Sequence, residues 1–220
     1  MKVLVLLLSA PISRALAVAK SIGEVTVLAV SPTDQVFSSG PDWSGCEKVR
    51  VWDDCLDPST LHPFDWEARV AAVVAQAARR LGTSVVVLTE SAAGFLGAAL
   101  AEQLNLAHLS EVISARVETS SDEDPQLHVR RRGMRGVQLL SGSAQAVLSV
   151  LPPIGTTASS TTGESGQPVQ LLSLDEISLC SGDLPPPQLQ PGTKVSRRHR
   201  PRLYIGAEAL VERLRRDGLE

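Results

Sequence analysis

Residues 85–104, VVVLTESAAGFLGAALAEQL, open on a continuous apolar run and pass through a small-residue turn into a helical pattern. The run VVVL at 85–88 is β-branched, does not alternate and is short, so it reads as a strand buried on both faces, the mark of a parallel sheet. Residues 94–104 then predict a helix. Working outward, residues 3–8 (VLVLLL) and 25–30 (VTVLAV) have the same uninterrupted character, and residues 48–52 (KVRVW) read as a further strand. Helical stretches lie between them. Residues 12–22 end at Gly23 and residues 66–81 end at Gly82, and each glycine is placed to turn left-handed after a last helical turn. In the second stretch Val70, Val74, Ala77 and Leu81 share a face, with Asp65 the expected N-cap. Residues 111–117 (EVISARV) form the next expected strand. Residues 126–132 and 137–140 form a hairpin about Gly133 and Gly136. Residues 146–150 (AVLSV) complete the sheet.

This alternation predicts a three-layer α/β/α sandwich with a mainly parallel sheet, right-handed crossovers and an antiparallel hairpin insertion. Residues 1–153 are expected to form the α/β domain. Beyond them the composition shifts to IGTTASSTTGESGQP, which has no apolar periodicity, so residues 155–168 read as a loop. Structure resumes at VQLLSLDEISL, where Ser173 and Glu176 have capping-box spacing and predict a short helix. The prolines at 185–187 and 191, a basic run at 194–202 and an amphipathic helix at 207–216 make up an extended C-terminal arm, so residues 154–220 are read as loop plus arm for partner contact.

With 220 residues, 43% hydrophobic, the chain can bury one sizeable core. Its formal charge of −3 argues against a general polyanion binder, and its few aromatic residues, 3% of the chain, argue against a stacking platform for nucleic acid. Cys46, Cys55 and Cys180 lack metal-ligand spacing and are odd in number, which favours reduced thiols in a cytoplasmic protein. Lys2, the apolar run after it and Ala15-Leu16-Ala17 have the outline of a secretory signal. Arg14, however, falls where small uncharged residues are wanted before cleavage, so a first buried strand accounts better for these letters. No stretch is long enough to span a membrane.

In an open parallel sheet ligands sit outside the carboxyl ends of the strands, where the strand order reverses. An order 3-2-1-4-5 puts that crevice between Leu8, Ser9, Ala10 and Pro11 on one side and the segment from Thr89 to Gly97 on the other. The latter opens a helix whose first N–H groups suit a phosphate; Gly94 and Gly97 serve equally well for close helix-to-sheet packing. A hydrolase reading finds neither a G-x-S-x-G elbow nor any pattern among His62, His108, His128 and His199. The arginines at 130–132 and the basic run at 194–202 read as solvated faces.

The stretch VVVLTESAAGFLGAALAEQLNLAHLSEV resembles the centre of the electron transfer flavoprotein α/β N-terminal domain family, the beta subunit above all. GCEKVRVWDD, LHVRRRGMRGVQLLSGSAQAVLSVLPP and EALVERLRRDGL are similar, in the same order, to further segments of that family, so the likeness covers about three quarters of the chain. The chain departs from the pattern at Glu90-Ser91-Ala92-Ala93, where the family has an Asp-rich stretch, and at Phe95 and Ala98, where it has Gln and Pro. The resemblance implies an adenine-nucleotide α-hydrolase-like sandwich in a heterodimer with an alpha-type subunit that holds FAD. It also implies AMP, or a second FAD, in the crevice. A beta-type subunit of this kind does no bond-making chemistry itself and passes electrons between a dehydrogenase and an acceptor. Contacts to nucleotide or partner are then expected from Ser9, Ala10, Glu90, Ser91, Gly94, Phe95, Leu96 and Gly97. A degenerate nucleotide-binding or structural relative without a redox role is the alternative. A nucleotidyl-transferring enzyme ranks last, because no glycine-rich phosphate loop follows the first strand.

Overall fold

Strand β1 (Lys2–Leu7) lies parallel between β2 (Glu24–Val30) and β4 (Val85–Thr89), with Val3 opposite Val25 on one side and Val85 on the other. In the computed structural model residues 1–8, 12–38, 41–89, 95–119, 124–134, 136–151 and 168–188 are described. After β2 come β3 (Cys46–Val51), α2 (Pro63–Leu81), β4, α3 (Leu96–Leu104) and β5 (Ala107–Glu118), while α1 (Ser13–Lys20) joins β1 to β2. The hairpin β6 (Gln126–Gly133) and β7 (Gly136–Ser143), then β8 (Ala146–Val150) and β9 (Val169–Leu172), complete a nine-stranded sheet of order β7-β6-β5-β8-β4-β1-β2-β3-β9. Among the described residues the β5–β6 and β6–β7 pairings are antiparallel and the others parallel.

Successive side chains of a strand point to opposite faces, and β1 uses both. Val3 and Val5 enter a core with Ala15, Leu16 and Ala19 of α1, while Leu4 and Leu6 enter a second core with Val70 and Val74 of α2 and Leu96 and Leu100 of α3. These two cores make the sheet the middle layer of three. The chain moves outward from β1 to β3 by way of α1, then crosses back to β4 by way of α2 on the opposite face. The strand order therefore reverses between β1 and β4.

Several expectations need correction. The order 3-2-1-4 holds, but β8 and not β5 lies beside β4, pairing Leu88 with Ser149; β5 is displaced one place outward. All five β8 residues are buried, four of them apolar and Ser149 hydrogen-bonded to His108, and a strand buried on both faces gains most in the centre of a sheet. Helix α2 begins at Pro63, whose fixed φ suits a first helical position, so its N-cap is His62: the ring accepts from the Phe64 N–H at 3.3 Å. Asp65 lies buried in the first turn instead. Gly82 is left-handed (φ 66°), but Gly23 is not. What Gly23 provides is room, because a Cβ there would lie 2.1 Å from the Met1 carbonyl oxygen. β5 starts at Ala107, four residues earlier than expected, since Asn105 (φ 55°) closes α3 and frees the chain to extend.

Past the Ser/Thr/Gly-rich stretch, β9 adds parallel to β3, a strand the sequence reading did not separate from the capping-box segment. Ser173 and Glu176 do form that box: Glu176 accepts from the Ser173 N–H at 2.7 Å and Ser173 Oγ accepts from the Glu176 N–H at 3.3 Å. The turn they cap is a single 3-10 turn, Asp175–Ile177. Leu172, Leu174, Ile177, Leu179 and Leu184 from this segment are buried in the α2–α3 core. Of the expected loop at 155–168, residues 155–167 lie outside the described residues, as do the basic run and the closing helix. Among those described, no helix is long and apolar enough to cross a membrane.

Candidate functional site

Parallel pairing of Leu6 with Leu88 sets the carboxyl ends of β1 and β4 side by side, so the chain leaves both strands from neighbouring points at the order reversal. Ser9, Ala10, Glu90, Ser91 and Gly94 lie outside the described residues. Phe95, Leu96 and Gly97 are placed, at the start of α3.

Phe95 is the N-cap residue of α3 and has no side-chain cap of its own. Its backbone N–H donates to Glu67 Oε2 at 3.4 Å, and Glu67, in the second turn of α2, is only 3% exposed. A helix start is where an anion is favoured, because its first N–H groups lack partners within the helix. Here the protein's own carboxylate takes part of that role. The Phe95 ring packs 5.9 Å from Phe64, which stacks on His62 at 5.5 Å and 12°. Three rings thus link the beginnings of α2 and α3.

Leu96 is fully buried among core side chains. Gly97 faces the sheet, where a Cβ would lie 2.4 Å from Ser149 Oγ and 2.5 Å from His108 Nε2. Those two atoms share a hydrogen bond of 2.8 Å. Of the two readings open for this glycine, close packing is the one the geometry satisfies. His108 comes from β5 and the buried Ser149 from β8, so α3 closes over a polar pair rather than over apolar sheet.

Sequence reasoning found neither Glu67 nor the His108–Ser149 pair. Glu67 carries no signal in the sequence beyond being an acid early in a helix. His108 and Ser149 are 41 positions apart and meet only because β8 inserts between β4 and β5. Among the described residues no cluster of three His, Cys, Asp or Glu side chains has metal-binding geometry, and the three cysteines are free thiols. Burial, and then the neighbouring Asp53 carboxylate, push the Cys55 thiol up to about 11.

The architecture is that of a doubly wound α/β sandwich, extended on one side by an antiparallel hairpin, with its switch point between β1 and β4. No family model matches the chain, and no curated protein matches it at a significant level.

Proposed function

We propose that the chain is a beta-type subunit of an electron transfer flavoprotein, pairing with an alpha-type subunit that holds FAD and carries electrons between a dehydrogenase and an acceptor. The observation that carries this reading is the adjacency of the β1 and β4 tips at the reversal of strand order, the place where such a sandwich receives a ligand. The order of elements that follows, helix, strand, hairpin and returning strand, agrees with the order of the segments resembling that family. The flavin supplies the redox chemistry when bound. This chain's part is to cover the flavin's surroundings and exclude water from them.

Glu67 at the start of α3 disfavours a phosphate at that helix end, because two anions in a part-buried site repel. FAD is therefore assigned to the alpha partner, and AMP is not assigned to the α3 end. The same carboxylate favours a second reading, a structural relative that keeps the sandwich and has lost nucleotide and redox duty. Purification of the chain alone and together with a co-expressed alpha-type subunit separates the two. A flavin absorption spectrum present only in the complex supports the first. A complex without flavin, or no complex at all, refutes it.

A further inference from the structure

On the α2–α3 face α3 reaches β8 and β5, but among the described residues no helix packs substantially on β6 and β7, whose other face adjoins the α1 core. On the α1 side Ala115, Leu127 and Val129 are buried. On the other side the pairings align Ser114, Arg130 and Leu139 in one row, and Arg116, His128 and Ser141 in the next. These six residues help to line an open trough of about 580 Å³. Leu139 is 76% exposed and Val137, opposite Arg132 on the same face, is 54% exposed. β7 is exposed along its whole length and has none of the charges or prolines that usually protect an edge strand.

The charge of the face is cationic. Arg116 and His128 share Glu118, Arg132 pairs with Glu111, and Arg130 is exposed and has no ion-pair partner among the described residues. Three arginines thus face two glutamates. Elsewhere on this side the sheet is covered by helices, α3 lying over β8 and β5. The continuation of that surface, uncovered among the described residues, apolar at Leu139 and Val137 and cationic at the unpaired Arg130, complements a helix with an apolar stripe flanked by carboxylates.

We infer that this trough docks an acidic amphipathic helix of a partner protein, laid across β5, β6 and β7 beside α3. The surface lies at the hairpin end of the sheet, four strands from β1, and the inference goes beyond the flavoprotein reading. Panning the full-length chain against a displayed library of short helix-forming peptides, with leucines fixed on one face and the flanking positions free, tests it. The expected result is enrichment of Asp and Glu at the flanks. Binding of the winning peptide should weaken at least tenfold in Arg130→Glu and in Leu139→Asp, and weaken with added salt. Both sites are exposed, so the variants are expected to melt with the parent. Enrichment of neutral or basic flanks, or binding indifferent to both substitutions, would overturn the inference. So would a chain that dimerises through this face, seen as a mass in solution that halves in Leu139→Asp.

Discussion

Replacing Gly97 by alanine sets two effects of known size against each other. In an exposed helix the change gains about 1 kcal/mol, because alanine loses less backbone freedom than glycine. At this position the new methyl would sit 2.4 Å from Ser149 Oγ and 2.5 Å from His108 Nε2, against ordinary contacts of 3.4–4 Å. The methyl therefore demands a displacement of about 1 Å, either of α3 from the sheet or of the His108–Ser149 pair. Moving the helix loosens Leu96 and Leu100, both fully buried, and overpacking of this kind costs about 1–3 kcal/mol. Moving the pair breaks a part-buried hydrogen bond of 2.8 Å, and a buried polar group left unsatisfied costs about 1–3 kcal/mol. Set against the helix gain, the middle of either range leaves Gly97→Ala destabilised by about 1 kcal/mol net. For a chain of this length that corresponds to a melting point lower by roughly 2–4 °C. The assay is urea unfolding followed by circular dichroism, for Gly97→Ala, for Ser149→Ala and for the double variant. Removing the serine hydroxyl takes away the nearest clash, so the double variant should lose less than the sum of the singles. A Gly97→Ala chain as stable as the parent, or strict additivity, would refute the account of why α3 begins with that glycine.

Glu67→Gln keeps the shape and an acceptor for the Phe95 N–H while removing the charge. It should raise the affinity of the α3 start for AMP or inorganic phosphate by about fivefold or more, since a carboxylate about 4 Å from an anion repels it by ~1 kcal/mol even in water; titration calorimetry of parent and variant decides this, and an unchanged response counts against the role given to Glu67. The raised Cys55 thiol has a definite sign: an unfolded chain releases that proton near pH 9 and the folded chain near 11, so stability contributed below pH 9 is lost as the pH rises from 9 to 11. Cys55→Ala should flatten that part of the stability profile, and identical slopes would contradict the assignment. Ser173→Ala removes a cap from the Asp175–Ile177 turn and should lower the melting point by about 2–4 °C, read by scanning calorimetry.

What the sequence discloses here follows from local physics. The runs VLVLLL, VTVLAV and VVVL announce buried parallel strands because each is a Val- and Leu-rich stretch of strand length that does not alternate. Gly82 and the Ser173–Glu176 box are legible for the same reason, each being complete within a few residues. The failures are non-local. Nothing within AVLSV tells whether it closes an edge or fills the gap between β4 and β5, since both positions accept an apolar strand. Asp65 is the commoner kind of cap, but Pro63 fixes the first helical position and so makes His62 the N-cap. At the switch point the neighbouring strand tips were anticipated. The carboxylate at the start of α3 was not, because Glu67 reaches Phe95 across 28 positions.

The late arrival of β8 has a consequence for biosynthesis. Until Ala146–Val150 emerges, Val85–Thr89 has only β1 at its side, and its other flank is an open edge of unpaired backbone groups on a strand with four buried apolar side chains. A nascent or prematurely terminated chain that stops within the hairpin would carry that sticky flank into the cell, where strand-to-strand self-association competes with completion. Translation pauses or truncations between residues 107 and 145 should therefore be far more prone to precipitate than ones a few residues past Val150.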